Sequence, residues 1–279
     1  MSSTALVLGG GGPVGGAWMV GVLAGLSEAG VDLGSADAVI GTSAGAVFGS
    51  RLRSGVPAVD LYQRQLSGAD AVRLPVTARQ TASYLWAALG SRDPQRSIER
   101  LGRAALRART GPESDVFDTV GPLLGDVRDW PERALCIAAV DARDGRTEVF
   151  DSTSGVTLLE AVAASCAVPV VWPPVTVAGR RWMDGGSRST ANLQLARGYR
   201  RVLAVVPVPR AVGPHPSAAQ QAAELSDAGA RVVLLTPDSA ARRAMGRNLA
   251  DDTHRPAAAR AGHAQAGVLA PSVVEVWQG

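Results

Sequence analysis

The segment Gly41-Thr42-Ser43-Ala44-Gly45 holds the residue types and spacing that speak most directly of chemistry. A serine flanked by glycines two positions away on either side can occupy a strained turn between a strand and a helix, presenting its hydroxyl as a nucleophile. The five-residue pattern is short and arises readily by chance, so its flanks decide its meaning. Ala38-Val39-Ile40 before it is apolar enough for a buried strand, and the residues after it follow a helical pattern to about Arg53, closed near Gly55. A helix starting behind Ser43 would aim its N-terminal amides and the positive end of its dipole at developing negative charge. The bland alternative is a serine that merely caps that helix.

Gly9-Gly10-Gly11-Gly12 invites two chemical readings. Consecutive residues without Cβ can turn several backbone N–H groups toward a substrate carbonyl, which makes an oxyanion hole. Alternatively, Gly10-x-Gly12-x-x-Gly15 matches the dinucleotide fingerprint, with Asp32 near the position of the ribose ligand. Against this, Val31 to Ser35 is a poor second strand, and the next good strand ends in the serine turn. A plain tight turn is the third reading.

The third element is Asp184-Gly185-Gly186, after the strand-like Arg181-Trp182-Met183. The glycines clear space where a carboxylate must approach another loop, although an aspartate in a turn commonly caps or pairs with arginine, and Arg180 and Arg181 are adjacent. His215, His254 and His263 all follow it, so the order Ser, Asp, His of a triad is formally available. The serine turn comes after only two strands, however, and the histidines fall in a proline-rich loop and a polar tail. A Ser43–Asp184 dyad is the expectation, with burial raising the basicity of the carboxylate.

Positioning these loops requires a sheet. Ala5 to Leu8 and Ala38 to Ile40 are short apolar strands that each feed a helix through glycines, the signature of a parallel sheet covered on both faces. Further strands are expected over Ala134 to Val140, Thr147 to Phe150, Val175 to Val177, Arg181 to Met183, Val202 to Val206 and Val232 to Leu235, with a helix over Leu158 to Cys166. Pro207 to Pro216 reads as a mobile loop. From Pro57 to about Arg133 strand patterns vanish and helical ones alternate with breakers, which predicts a helical insertion over one end of the sheet. The expected architecture is a single three-layer α/β/α domain spanning residues 1–279, its central sheet mainly parallel.

Composition narrows the chemistry. All 28 basic residues are arginine, so Ser-Lys dyads, Schiff-base lysines and lysine-dependent phosphate loops are excluded. A formal charge of +3, with arginines scattered rather than run together, argues against nucleic acid. Cys136 and Cys166 sit in apolar surroundings and read as small buried hydrophobes, and neither a disulfide framework nor a metal site is indicated. Met1 to Leu8 lacks a basic n-region, and no segment approaches the ~20 apolar residues of a membrane span. A cytoplasmic protein free to touch a membrane surface is expected; oligomeric state is not encoded.

Together the glycine loop from Gly9 to Gly15, the Gly-Thr-Ser-Ala-Gly-Ala elbow, the stretch Ala164 to Pro169 through Trp172-Pro173-Pro174-Val175, and Met183-Asp184-Gly185-Gly186 resemble the patatin-like phospholipases. The resemblance implies a lipid acyl hydrolase without metal or organic cofactor, Ser43 as nucleophile, Asp184 as its partner, and Gly10, Gly11 and Gly12 as oxyanion donors. Many members carry Arg or Lys in the glycine loop where this chain has Val14. An acyltransferase or a small-ester esterase would share every one of these motifs.

Overall fold

The computed structural model describes residues 3–72, 74 and 76–278. In chain order the elements are β1 (Thr4–Leu8), α1 (Gly12–Glu28), β2 (Ala38–Thr42), α2 (Ala44–Arg53), α3 (Ala58–Ser67), α4 (Ala78–Leu89), α5 (Pro94–Arg107), α6 (Ser114–Val120), β3 (Leu135–Asp141), β4 (Thr147–Phe150), α7 (Leu158–Cys166), β5 (Val175–Val177), β6 (Arg180–Asp184), β7 (Arg201–Val205), α8 (Ala218–Asp227), β8 (Arg231–Leu235), α9 (Ser239–Met245) and α10 (Arg255–Gln278).

The strands make one mixed sheet in the order β5-β6-β3-β2-β1-β7-β8, with β4 paired to β3 outside that path. From β8 across to β3 the pairing is parallel, whereas β4, β5 and β6 pair antiparallel. The expected mainly parallel α/β sheet is therefore observed, and its antiparallel part was not anticipated from strand patterns alone. β1 and β2 are buried at every residue, as continuous apolar strands covered on both faces must be.

One register detail brings distant loops together. On β3, Ala138 lies across from Thr42 of β2 and the next residue, Ala139, lies across from Asp184 of β6. Both residues also pair with β4, Ala138 with Val149 and Ala139 with Glu148, so β2 and β6 meet β3 along the same edge. The end of β2 thus abuts the end of β6.

Helix α1 is buried from Val14 through Leu26, because its sequence offers no polar face over that stretch. It lies against α10, and the contact is close because it is made of small residues. A Cβ at Gly21 would fall 2.0 Å from the Ala259 carbonyl oxygen, and one at Gly262 would fall 2.1 Å from that of Trp18. Trp18 adds a hydrogen bond from its indole N–H to Gln265 Oε1 at 3.1 Å.

The stretch from 57 to 133 contains helices and no strand among its described residues. It does not all cover one end of the sheet: α3 packs on α1 and α10, α4 and α5 pack on each other, and α6 packs on α7. Among the described residues no helix is long and apolar enough to cross a membrane.

Candidate active site

Ser43 stands between β2 and α2 with φ 53° and ψ −117°. A residue with a Cβ pays for that left-handed backbone, and such outliers persist only where the surroundings over-determine them. Here the surroundings are glycines. A Cβ at Gly45 would lie 2.0 Å from the Leu8 carbonyl oxygen, and one at Gly41 would lie 2.7 Å from Ala46 Cα. The Ser43 amide donates to Ser165 Oγ at 2.9 Å, and that hydroxyl donates in turn to the Ala138 carbonyl at 2.7 Å. The Ser43 side chain makes no capping bond to α2. It instead faces the Asp184 carboxylate, near enough to act on that group's pKa.

Asp184 ends β6 and is held from both sides. Its amide donates to the Ala167 carbonyl at 2.9 Å, and its Oδ1 accepts the Gly186 amide at 2.6 Å. A Cβ at Gly185 would meet the Ala138 carbonyl oxygen at 2.4 Å, so the loop can turn there only without a side chain. Burial pushes the carboxyl up to about 6, against the opposing pull of its bonds from Ser43 and Gly186. A carboxylate in that range is a far better base than an exposed one.

The glycine loop departs from expectation at one position. Gly10 donates its amide to the Thr190 carbonyl at 2.8 Å and cannot offer it to a ligand. The amides of Gly11 and Gly12 have no partner among the described residues. Gly12 takes a positive φ of 63°, and a Cβ at Gly11 would meet Pro207 Cβ at 2.7 Å. Pro207 and Val208, expected in a mobile loop, thus wall the site: Pro207 presses on the glycine loop, and Val208 receives the Thr190 hydroxyl at 2.5 Å. Val14 is wholly buried in the core, and its amide bonds the Leu249 carbonyl at 3.2 Å.

Two positioning residues escaped sequence reasoning. Asn192 is fully buried, and its Nδ2 donates to Thr42 Oγ1 at 3.0 Å and to the Ser189 carbonyl at 2.8 Å, tying the residue before Ser43 to the loop after Asp184. Its one signal in the sequence is that asparagine tolerates the left-handed φ of 50° seen there. Ser165 lies within the stretch Ala164 to Pro169, where a serine inside an apolar helix carries no chemical signal of its own. Cys166, expected as an inert core thiol, lies within hydrogen-bonding reach of the Ser43 hydroxyl, and burial beside Asp184 holds it protonated.

None of the three histidines lines a cavity at Ser43. His263 bonds Glu28 at 2.8 Å and stacks on Tyr62 with ring centroids 5.0 Å apart, while His254 lies 3.9 Å from Asp251. Burial and Arg188 lower the pKa of His215. Asp32 accepts the Ser35 amide beyond the C-terminal end of α1, opposite the end that carries the glycines, so it cannot complete a dinucleotide site with them. Among the described residues no group of three or more His, Cys, Asp or Glu could hold a metal ion.

Ser43 borders two cavities. The outer one, about 390 Å³, is bounded by Asp184, the glycine loop and Gln80, Thr81, Tyr84 and Leu85 of α4. The inner one, about 90 Å³, runs behind Ser43 between Val47 and Phe48 of α2 and Val116 and Val120 of α6. Burial and the charge of Asp184 push the Tyr84 phenol above its ordinary range, so it stays a neutral hydroxyl in the outer wall.

A model of the patatin-like phospholipase family matches residues 6–197. No curated protein matches the chain significantly. Among solved structures, VipD from Legionella pneumophila is 15% identical over 67% of this chain and 46% of its own, with a TM-score of 0.41. The type III effector ExoU is 18% identical over 95% of this chain and 53% of its own, with a TM-score of 0.37. The chain therefore spans about half the length of each.

Proposed function

The chain belongs to the patatin-like phospholipase family, and from that membership we propose that it hydrolyses acyl esters of lipids through a Ser43–Asp184 dyad. The observation that supports this reading is the strained Ser43 facing a buried carboxylate whose pKa is raised to about 6. Asp184 takes the proton as Ser43 Oγ attacks the ester carbonyl, and the amides of Gly11 and Gly12 receive the oxyanion. Collapse of the tetrahedral intermediate expels the alcohol and leaves an acyl-serine. Water then attacks with Asp184 again as base, releasing the acid and restoring the hydroxyl.

The two cavities divide the substrate. An acyl chain suits the apolar inner chamber, and the alcohol suits the outer cleft, where Gln80 and Thr81 offer polar groups. Contact with a membrane would bring α4 to the lipid. A fluorophosphonate probe tests the assignment. It should add once to the wild type and not to Ser43→Ala, and intact-mass labelling that survives this substitution would refute it. Product analysis on a mixed lipid extract, with and without added alcohol acceptors, separates a hydrolase from an acyltransferase.

A further inference from the structure

The far end of the sheet holds a second constellation. Ser43 follows the C-terminal end of β2, whereas β7 and β8 run parallel to it and begin with Arg201 and Arg231, which lie opposite each other in register. Arg201 and Arg231, together with Arg197, Arg200 and Tyr199, line a cavity of about 510 Å³, roomier than either cavity at Ser43. Its remaining walls are glycine, alanine and Leu225; no carboxylate lines it.

This gathering of charge differs from the arginines that the fold pairs with carboxylates. Arg51 bonds Asp70, Arg180 bonds Asp141, and Arg255 bonds Asp252. By contrast, the side chains of Arg197 and Arg200 have no hydrogen bond or ion pair among the described residues, and Arg231 reaches only the Glu275 carbonyl, at 3.3 Å. Glu224 and Asp227 on the neighbouring α8 form no ion pair with them. The guanidinium groups of Arg197, Arg200 and Arg231 share one concavity with no carboxylate in its lining, and an anion entering it relieves their mutual repulsion. Each presents a planar fork of donors that matches phosphate oxygens in pairs.

We propose that this cavity binds a ligand carrying two or more phosphate groups, at a site separate from the hydrolytic centre. Several phosphates on one small molecule supply negative charge to match Arg197, Arg200 and Arg231 together, and Tyr199 adds an aromatic wall beside them. A free polyphosphorylated metabolite and a two-phosphate lipid headgroup share this chemistry.

Titration of the full-length Ser43→Ala protein, which cannot consume lipid, reads the site directly. Calorimetry with inorganic tripolyphosphate should show saturable binding that weakens as salt is added. The pair Arg197→Gln and Arg200→Gln should weaken it at least tenfold with an unchanged circular dichroism spectrum. The pair Arg79→Gln and Arg92→Gln, exposed and outside the lining of this cavity, removes the same charge and should leave binding intact. Arg231→Gln provides an independent variant within the cavity. Sedimentation with phosphatidylcholine vesicles, with and without cardiolipin, identifies the source. Cardiolipin-dependent binding that tripolyphosphate displaces means a headgroup, and tripolyphosphate binding without vesicle binding means a free ligand. Absence of saturable binding to either probe, or equal losses in the two arginine pairs, overturns the proposal.

Discussion

The floor of the Ser43 site and its cover are built by opposite rules. In the floor, loops from β1, β2 and β6 approach so closely that side chains are excluded: Cβ atoms at Gly9, Gly45 and Gly185 would sit 2.0–3.0 Å from carbonyl oxygens. Thr42 and Asn192 are buried there at 0% exposure and bonded to each other. The cover, α4 with α5, is seated through an apolar cluster of Ala87, Ile98 and Leu101 with Val140 and Met183, and adds side-chain bonds such as Ser97 Oγ to the Ala88 carbonyl at 2.6 Å and Arg188 to Gln95 at 3.0 Å. It leaves Trp86 72% and Leu89 62% exposed, with the Arg100 guanidinium 4.8 Å above the Trp86 ring. The floor excludes side chains to bring its loops together, whereas the cover packs through side chains and leaves others in solvent.

If the floor is a machine of fixed atoms, its substitutions should be severe and specific. Asp184→Asn should lower turnover about a thousandfold, the loss of a positioned base, while His215→Ala, His254→Ala and His263→Ala stay near wild type. A collapse in any histidine variant that still folds would break the dyad. Gly11→Ala should lower kcat roughly a hundredfold with little change in KM, since one of two available amides would be rotated or blocked. A rise in KM alone would mean that the loop binds ground-state substrate instead.

The raised pKa of Asp184 sharpens the same contrast. Activity should climb as pH rises through about 6, where the carboxyl becomes a base. Stability should run the other way. A folded-state value raised from the ordinary 3.8 favours folding while the group is protonated, and that contribution is lost as pH rises through about 6. Asp184→Asn should accordingly raise Tm at pH 8 and leave it nearly unchanged below pH 4. Equal shifts at both values would assign the effect to packing. The smallest effect belongs to the cover: Trp86→Ala with Leu89→Ala should change stability by no more than ~0.5 kcal/mol each, as exposed positions do. The pair should cut hydrolysis of vesicle lipid several-fold while sparing a soluble short-chain ester. Equal losses on both substrates would make α4 part of the floor.

Sequence revealed the floor better than the cover because the floor depends on local chemistry. An apolar run, glycines and a helix start are neighbours in the chain, so the turns at Gly9–Gly12, Ser43 and Asp184 were legible as strand ends. What was not legible depends on partners far along the chain. Gly10 loses its amide to Thr190, and Asn192 reaches back to Thr42, 150 residues away. Neither contact leaves a trace in local periodicity. The cover was legible only as helix, since nothing in residues 57–133 states which helix closes on the cavity and which, like α3, packs on α1.

The close approach of α1 to α10 sets the timing of assembly during synthesis. Helix α1, which carries the glycine loop at its start, spans residues 12–28, and the backbone it nests against spans 255–278. A ribosome adds roughly 5–20 residues per second. The apolar back of α1 therefore waits on the order of ten seconds or more before its partner emerges, a natural window for chaperones. Until then the helix behind the glycine loop lacks one of the partners it packs against.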